Sequence, residues 1–404
     1  MSEYKQIQYP LSVKWDATVK TGDFTAETTL GYFVDTTRGQ VTVTLPASPS
    51  IGDQVAFKDY AGTFGTNKLL IARNGSKIQG NDSDSQLTTN RGAGILVYVD
   101  STQGWIYQQQ SNASDNEGAT FIQATGGTIT TCGNYKIHTF TSSGTFTVSA
   151  LGNPVGGPNT VDYMVVAGGG GSAGGNQGMG GSGAGGFRES VPSPAAWTAS
   201  PLANPGGSLP VSVQGYPVTV GGGGAGSPVE GVTGPSGSPS VFSTITSAGG
   251  GGGGAGGGPA DSTPGGNGGS AGGGGGRSNK SGGSGNTPPV SPPQGNNGGN
   301  SKPAATPTAD FGGGGGGATV AGSNASNSAS GAGGNGATTS FSGSPLSFAG
   351  GGAGQAEPGT PQPGGTGGGG PSGASGTANT GGGAGGSNTS SGGSGIVKIR
   401  YRFQ

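Results

Sequence analysis

Cysteine occurs once, at Cys132, and histidine once, at His138. A lone cysteine excludes a disulfide framework and a cysteine-based metal site within one chain. A lone histidine leaves any Ser-His-Asp triad a single candidate base. Charged residues are only 9% of the chain and hydrophobic ones 28%, well under the roughly 25% and 45–50% of ordinary globular domains. The formal net charge of −1 provides neither the basic footprint of a nucleic-acid binder nor a basic patch for a membrane surface. No apolar run approaches the roughly 18–20 residues of a transmembrane helix, and no apolar signal core follows Met1. The expectation is a protein made in a cytoplasm, without a classical export signal, membrane insertion or nucleic-acid partner. Nor does any segment carry a sustained helical period.

Glycine is abundant instead. Residues 168–394 hold 79 of the 99 glycines and only nine charged side chains. Composition alone would class this segment as low-complexity or disordered, and the lack of a strict three-residue glycine repeat rules out collagen. Yet two strand patterns frame it, Val161–Val166 before and Ile396–Phe403 after. In the second, Val397, Ile399, Tyr401 and Phe403 share one face, and Lys398, Arg400 and Arg402 the other. A disordered tail has no reason to end in such a strand, so the segment reads as an ordered insertion stapled at its base.

Glycine backbone is costly to fix and brings little hydrophobic gain, so a compact glycine module must draw stability from backbone hydrogen bonds and close approach. Polyproline-II geometry, with three residues per turn and outward N–H and C=O groups, allows lateral hydrogen bonding wherever nothing larger than hydrogen lies at the contact. The expected fold is therefore mainly β without substantial α-helix: N-terminal β structure, then a glycine-rich domain of packed polyglycine-II helices framed by strands, with connectors gathered at the bundle's ends.

Along the chain, residues 1–110 read as an all-β domain. Val41, Val43 and Leu45 alternate with threonines, and further strands are expected at Gln54–Lys58, Lys68–Arg73, Ile95–Asp100 and Gly104–Gln108. Residues 111–118 read as a polar linker. Residues 119–167, completed by strand 395–404, form a second β region, and 168–394 the glycine-rich domain. Ser208–Val220 within it reads as a small hairpin.

Catalytic chemistry has little to work with. His138 reads as a strand-surface histidine, and the carboxylates Glu189, Glu230, Asp261, Asp310 and Glu357 are scattered between glycine runs. Matches to G-x-G-x-x-G, such as Gly181–Gly186, follow from composition, since none joins a strand to a helix. Asp82 and Asp84 lack the rest of a calcium loop. No catalytic, metal or cofactor site is expected. Recognition fits the varied connectors better, because loops held on a rigid scaffold commonly carry it. The candidates are Asn176, Gln177, Met179, Arg277, Asn279, Lys280, Asn296, Asn297, Lys302, Gln355, Glu357 and Gln362.

Two stretches carry a resemblance. Gly31–Leu45 with Gly52–Asn67 resembles the β domains of tailed-bacteriophage tail fibre and virion structural proteins, particularly those of marine cyanophages. The framed segment, with Gly180–Arg188 (GGSGAGGFR) and Val218–Gly224 (VTVGGGG), resembles the glycine-rich receptor-binding domain of phage tail fibres. The resemblance implies a virion protein assembled in the host cytoplasm, a homotrimer joined to other tail or baseplate proteins through its N-terminal region. It further implies a distal part that meets a host glycan or outer-membrane protein. A structural virion protein without a receptor role is the alternative, and a polysaccharide depolymerase a more distant one. The chain departs from such fibres in lacking long shaft repeats.

Overall fold

The computed structural model describes residues 13–110, 119–257, 262–276, 278–303, 310–357 and 360–404; the expected linker 111–118 and the candidate Arg277 lie outside them. Among the described residues every regular element is a β-strand. The chain divides into two compact units, Met1–Thr120 with Gly152–Pro158, and Phe121–Leu151 with Asn159–Gln404.

In the first unit, Lys14–Trp15, Leu30–Val34, Gln54–Asp59, Ala93–Asp100 and Gly104–Gln110 form one sheet. Phe24–Thr25, Val41–Thr44, Leu69–Ala72 and Ser85–Leu87 form a second. The two-residue alternation turns Val41, Val43 and Leu45 inward, where they meet Tyr32, Val55, Phe57, Leu69, Ile71, Leu96 and Trp105 in a single core. Between Leu30 and Ala72 the chain switches sheets at each strand. Leu30–Val34 therefore runs parallel to Gln54–Asp59, and Val41–Thr44 parallel to Leu69–Ala72. Loop positions are fixed by local polar contacts: the Asp59 carboxylate accepts the backbone N–H groups of Gly62, Phe64 and Arg91.

The second unit is built on the strands that frame the glycine segment. The outgoing strand, Thr160–Val166, pairs antiparallel with the returning strand, Ile396–Arg402, with Val165 opposite Val397. Tyr135–Phe140 extends this sheet on one side and Phe187–Val191 on the other. One face packs on a five-stranded sheet that includes Gly144–Ala150, Gly215–Thr219 and Ser240–Phe242. Phe146, Val148, Val161, Tyr163, Val165, Phe242, Val397, Ile399 and Tyr401 fill the space between. On the opposite face Ile137, Met164, Val166 and Ile396 meet Ala318, Ala337, Phe341 and Phe348, which belong to the glycine segment itself. Each buried phenylalanine contributes on the order of 1.5–3 kcal/mol, so the frame holds the hydrophobic stabilisation that the glycine runs lack.

This two-sided burial also covers Lys398 and Arg400, which share the face opposite Val397 and Ile399. Arg400 is 3% exposed, its guanidinium lying 4.2 Å from the Tyr135 ring centre and 4.5 Å from that of Trp197, and it donates to the Phe341 carbonyl at 2.7 Å. Lys398 donates to Ser342 Oγ. His138 is fully buried rather than on the strand surface, with Nδ1 2.7 Å from the Gly126 carbonyl oxygen and Nε2 3.2 Å from the Tyr401 hydroxyl. Ser208–Val220 is not a hairpin: Leu209–Pro210 pairs with the outgoing strand, whereas Gly215–Thr219 pairs with Gly144–Ala150 in the other sheet.

Between the framing strands the glycine runs lie side by side without strand or helix assignment. Gly312–Gly317 shows the rule. Its amides donate to Gln355 and Gly352, to Gly274 and Ala271, and to Ser323 and Val320, alternating through three neighbours. Its carbonyls accept from Gly331 and Gly334, from Gly181 and Ala184, and from Gly299 and Asn296. Residues i and i+3 thus face the same segment, giving a three-residue period. All twelve polar backbone groups of these six residues are satisfied by six surrounding segments. Steric room is the constraint on sequence. A Cβ at Gly313 would lie 2.1 Å from the Gly299 carbonyl oxygen and one at Gly315 2.0 Å from that of Ser182. Neither glycine has a left-handed φ, so the missing side chain is what matters here.

Candidate functional site

The hydrogen-bond register fixes which connectors share an end of the bundle. Gly180 donates to Gly254, Gly276 to Gly178, Gly312 to Gln355, Gln355 to Met179 and Gly386 to Ala353. The chain segments after residues 172, 254, 275, 299, 354 and 385 therefore come off together, at the end away from the framing strands. At the other end Gly186 donates to Ala248, Ala318 to Ala349 and Gly381 to Ser394, beside the frame.

Most of the candidate residues fall at the far end, in different roles. Asn176 is exposed, and its side-chain amide donates to Glu230 Oε1 at 2.7 Å. Gln177 is half-buried, and Met179 is buried as part of the scaffold. The Met179 amide donates to Gln355 Oε1 and its carbonyl accepts from the Gln355 amide, which makes Gln355 a brace. Asn279 is exposed at φ +48°. The amide of half-buried Lys280 donates to Ser301 Oγ, and its carbonyl accepts from the Ser301 amide. Lys302 is exposed and pairs in register with Phe311, while the Glu357 backbone pairs with Asp310. Half-buried Gln362 donates to the Thr360 carbonyl at 3.4 Å.

Asn296 and Asn297 are placed elsewhere. They lie within a run, level with Gly317. Asn296 Nδ2 donates to the Gly317 and Ala318 carbonyls, and Asn297 Oδ1 accepts the Gly285 amide. Their side chains serve the bundle's flank.

Sequence reasoning passed over the connector Ser227–Val232. Gly174 bridges to Glu230 along the backbone, and the Gly175 amide donates to Asn388 Oδ1 at 3.1 Å. Three connectors thereby form one surface: 174–176, 227–232 and 386–389. It carries the exposed side chains of Val229 (57%) and Val232 (48%). The signal was present, as two valines flank a glutamate in a stretch otherwise made of small residues.

Four buried charges, Asp162, Glu189, Lys398 and Arg400, gather at the frame, where their partners are structural. Glu189 accepts from Trp197 Nε1, the Ser200 amide and Thr339 Oγ1, tying two connectors to the sheet. Asp162 accepts from Ser190 and Ser208 hydroxyls. Burial pushes its carboxyl above the usual range, against the pull of those two donors. Burial likewise lowers His138 and Lys398 and pushes the Tyr401 phenol up to about 12. Among the described residues no three His, Cys, Asp or Glu side chains gather as metal ligands. Nor, among the described residues, is any helix long and apolar enough to cross a membrane.

The architecture defines a class first: a β-framed protein whose bulk is backbone-bonded glycine runs. The family model for the glycine-rich domain matches residues 139–402, from the Tyr135–Phe140 strand through the returning strand, and the chain belongs to that family. A search among curated proteins finds no match.

Proposed function

We propose that the glycine runs are polyglycine-II helices, and that the protein is a bacteriophage tail-fibre or receptor-binding virion protein that attaches the particle to the host surface. The observation that carries this reading is the saturated run Gly312–Gly317, whose backbone groups are all used by neighbours. Such a core makes a stiff platform from side-chain-poor chain and holds the far-end connectors in fixed places. Rigid presentation lowers the ordering cost of recognition. The surface of Asn176, Val229, Glu230 and Val232, with Lys280 and Lys302 on neighbouring connectors, is the candidate contact with a host glycan or outer-membrane protein. The resemblance adds trimerisation and docking to other virion proteins through the N-terminal region. It makes the protein a non-enzymatic component of the virion.

The test is adsorption. Purified protein should bind host cells and block infection, and exchanging connectors 174–179 and 227–232 for those of a related phage should change the cells bound. Absence of both binding and blocking would leave the purely structural virion role. Release of new reducing ends from host polysaccharide would establish a depolymerase instead.

A further inference from the structure

One line of runs crosses the bundle with a fixed polarity. Gly224 donates to Gly169, Gly170 to Gly183, Gly181 to Gly313 and Gly314 to Ser323, each at 2.9 Å. The row therefore passes through runs 221–227, 168–172, 180–186, 312–317 and 320–325, and every N–H along it points the same way. Within it a simple rule holds. A run that accepts on residue k donates from residue k+1: Gly169 then Gly170, Gly183 with Ala184, Gly313 then Gly314.

The rule predicts the two edges of the row. Run 221–227 donates from Gly224 and Ser227, so its outward acceptors are the carbonyls of Gly223 and Gly226. Run 320–325 accepts on Val320 and Ser323, so its outward donors are the amides of Ala321 and Asn324. Among the described residues none of these four groups has a protein partner, and Ala321 and Asn324 are exposed. One edge offers two acceptors three residues apart, and the other two donors at the same spacing.

Side chains leave both edges open. The outward positions on the acceptor edge are Gly222 and Ala225, both exposed, and a Cβ at Gly222 would meet nothing within 4 Å. On the donor edge Ala321 presents a methyl, and the Asn324 side chain accepts from the Asn300 amide. Fully buried Ala184, Ala271, Ala353 and Ala384 show that such contacts tolerate a methyl. Elsewhere on the bundle asparagine carboxamides take up backbone amides: Asn267 accepts from Ser284, Asn297 from Gly285, Asn300 from Gly282 and Asn335 from Thr366.

We propose that the bundle docks edge to edge on a second copy of this chain, the Ala321 and Asn324 amides of one copy donating to the Gly223 and Gly226 carbonyls of the next. The occupant follows from complementarity, since a facing segment must bear acceptors at a three-residue spacing and no bulky side chain, as this chain's own edge does. Unpaired β-edges behave in the same way when nothing blunts them. A contact of this polarity between identical copies is heterologous, closing as a ring or running on as a strip. It is independent of the attachment reading.

The test uses the full chain and amide hydrogen exchange. Gly222→Arg blocks only the acceptor edge. With docking, it speeds exchange several-fold at Ala321 and Asn324, on the opposite side of the same bundle, because those amides lose the partner copy. Mixing it with Ala321→Arg, which blocks the other edge, yields a complex limited at this contact to two bundles, seen by light scattering. Protection of Gly312–Gly317 serves as the folding control, and Ala225→Arg replaces Gly222→Arg if that control fails. Unchanged exchange at Ala321 and Asn324 in a folded edge variant overturns the proposal. So does exchange at those amides in the wild type that is independent of protein concentration from dilute to concentrated solution.

Discussion

Gly75 lies in a turn of the first unit at φ +90°, with nothing within 4 Å of the place a Cβ would occupy. Gly314 lies in the bundle outside the left-handed region, with the Ala332 carbonyl oxygen 1.9 Å from that place. The first glycine is required for its backbone torsion and the second for its emptiness. The same contrast separates the two units broadly. Gly39 and Gly52 repeat the pattern of Gly75, whereas Gly169, Gly251 and Gly351 repeat that of Gly314. Composition counts both kinds as one residue, which is why glycine content alone reads as disorder while neighbouring geometry reads as packing.

Substitution breaks the comparison most sharply at Gly314. Gly314→Ala forces backbone apart with no flexible side chain to yield, and the expected loss is about 3 kcal/mol, the upper part of the range for overpacked cores. Denaturant unfolding, followed separately for the two units, measures it. Gly75→Ala should cost the first unit less, about 1–2 kcal/mol for a left-handed residue with a Cβ. The paired test is asparagine, which tolerates positive φ. Gly75→Asn should recover part of the loss, and Gly314→Asn should exceed Gly314→Ala.

Acid provides a smaller, reversible contrast. His138 belongs to the second unit, and the first contains no histidine. Burial lowers its folded-state pKa below the ordinary 6.5, so the unfolded chain takes up the proton first. Stability is then full above about pH 6.5 and falls as pH drops from there toward the folded-state value. The second unit should lose stability over that window while the first does not, and His138→Gln should flatten the difference in paired thermal melts. The smallest effect is expected at Gly222, a bundle glycine with neither positive φ nor a close neighbour. Gly222→Ala should change stability by no more than about 0.5 kcal/mol, and a large loss there would mean that the run glycines are needed for something besides space.

What could be read in the sequence follows the same division. Strand patterning located five of the nine strands of the first unit and both framing strands, because a side chain must commit to one face, and passed over Leu30–Val34 and three shorter strands. It put Lys398 and Arg400 on the face opposite Val397 and Ile399, but alternation cannot show that Trp197 and Phe341, far away in sequence, cover that face. His138 was misread for the same reason, its cover being Phe146 at a ring-centre distance of 5.0 Å and Tyr401. The glycine runs could be found, but which run touches which could not, because a residue without a side chain carries no pairing code. Candidate contacts at Asn176, Asn279 and Lys302 were chosen for side-chain variety and emerge at one end. Asn296 and Asn297, chosen on the same grounds, turn back onto the backbone, where a carboxamide does the work of an absent neighbour.

The outgoing and returning strands lie next to each other, with Val165 opposite Val397. More than two hundred residues therefore depart from and come home to a single doorway in one sheet. The interior nevertheless repays the doorway, lending Phe187–Val191, Gly215–Thr219 and Ser240–Phe242 to the sheets around it and Phe341 and Phe348 to the core beneath, so threshold and room stand or fall together.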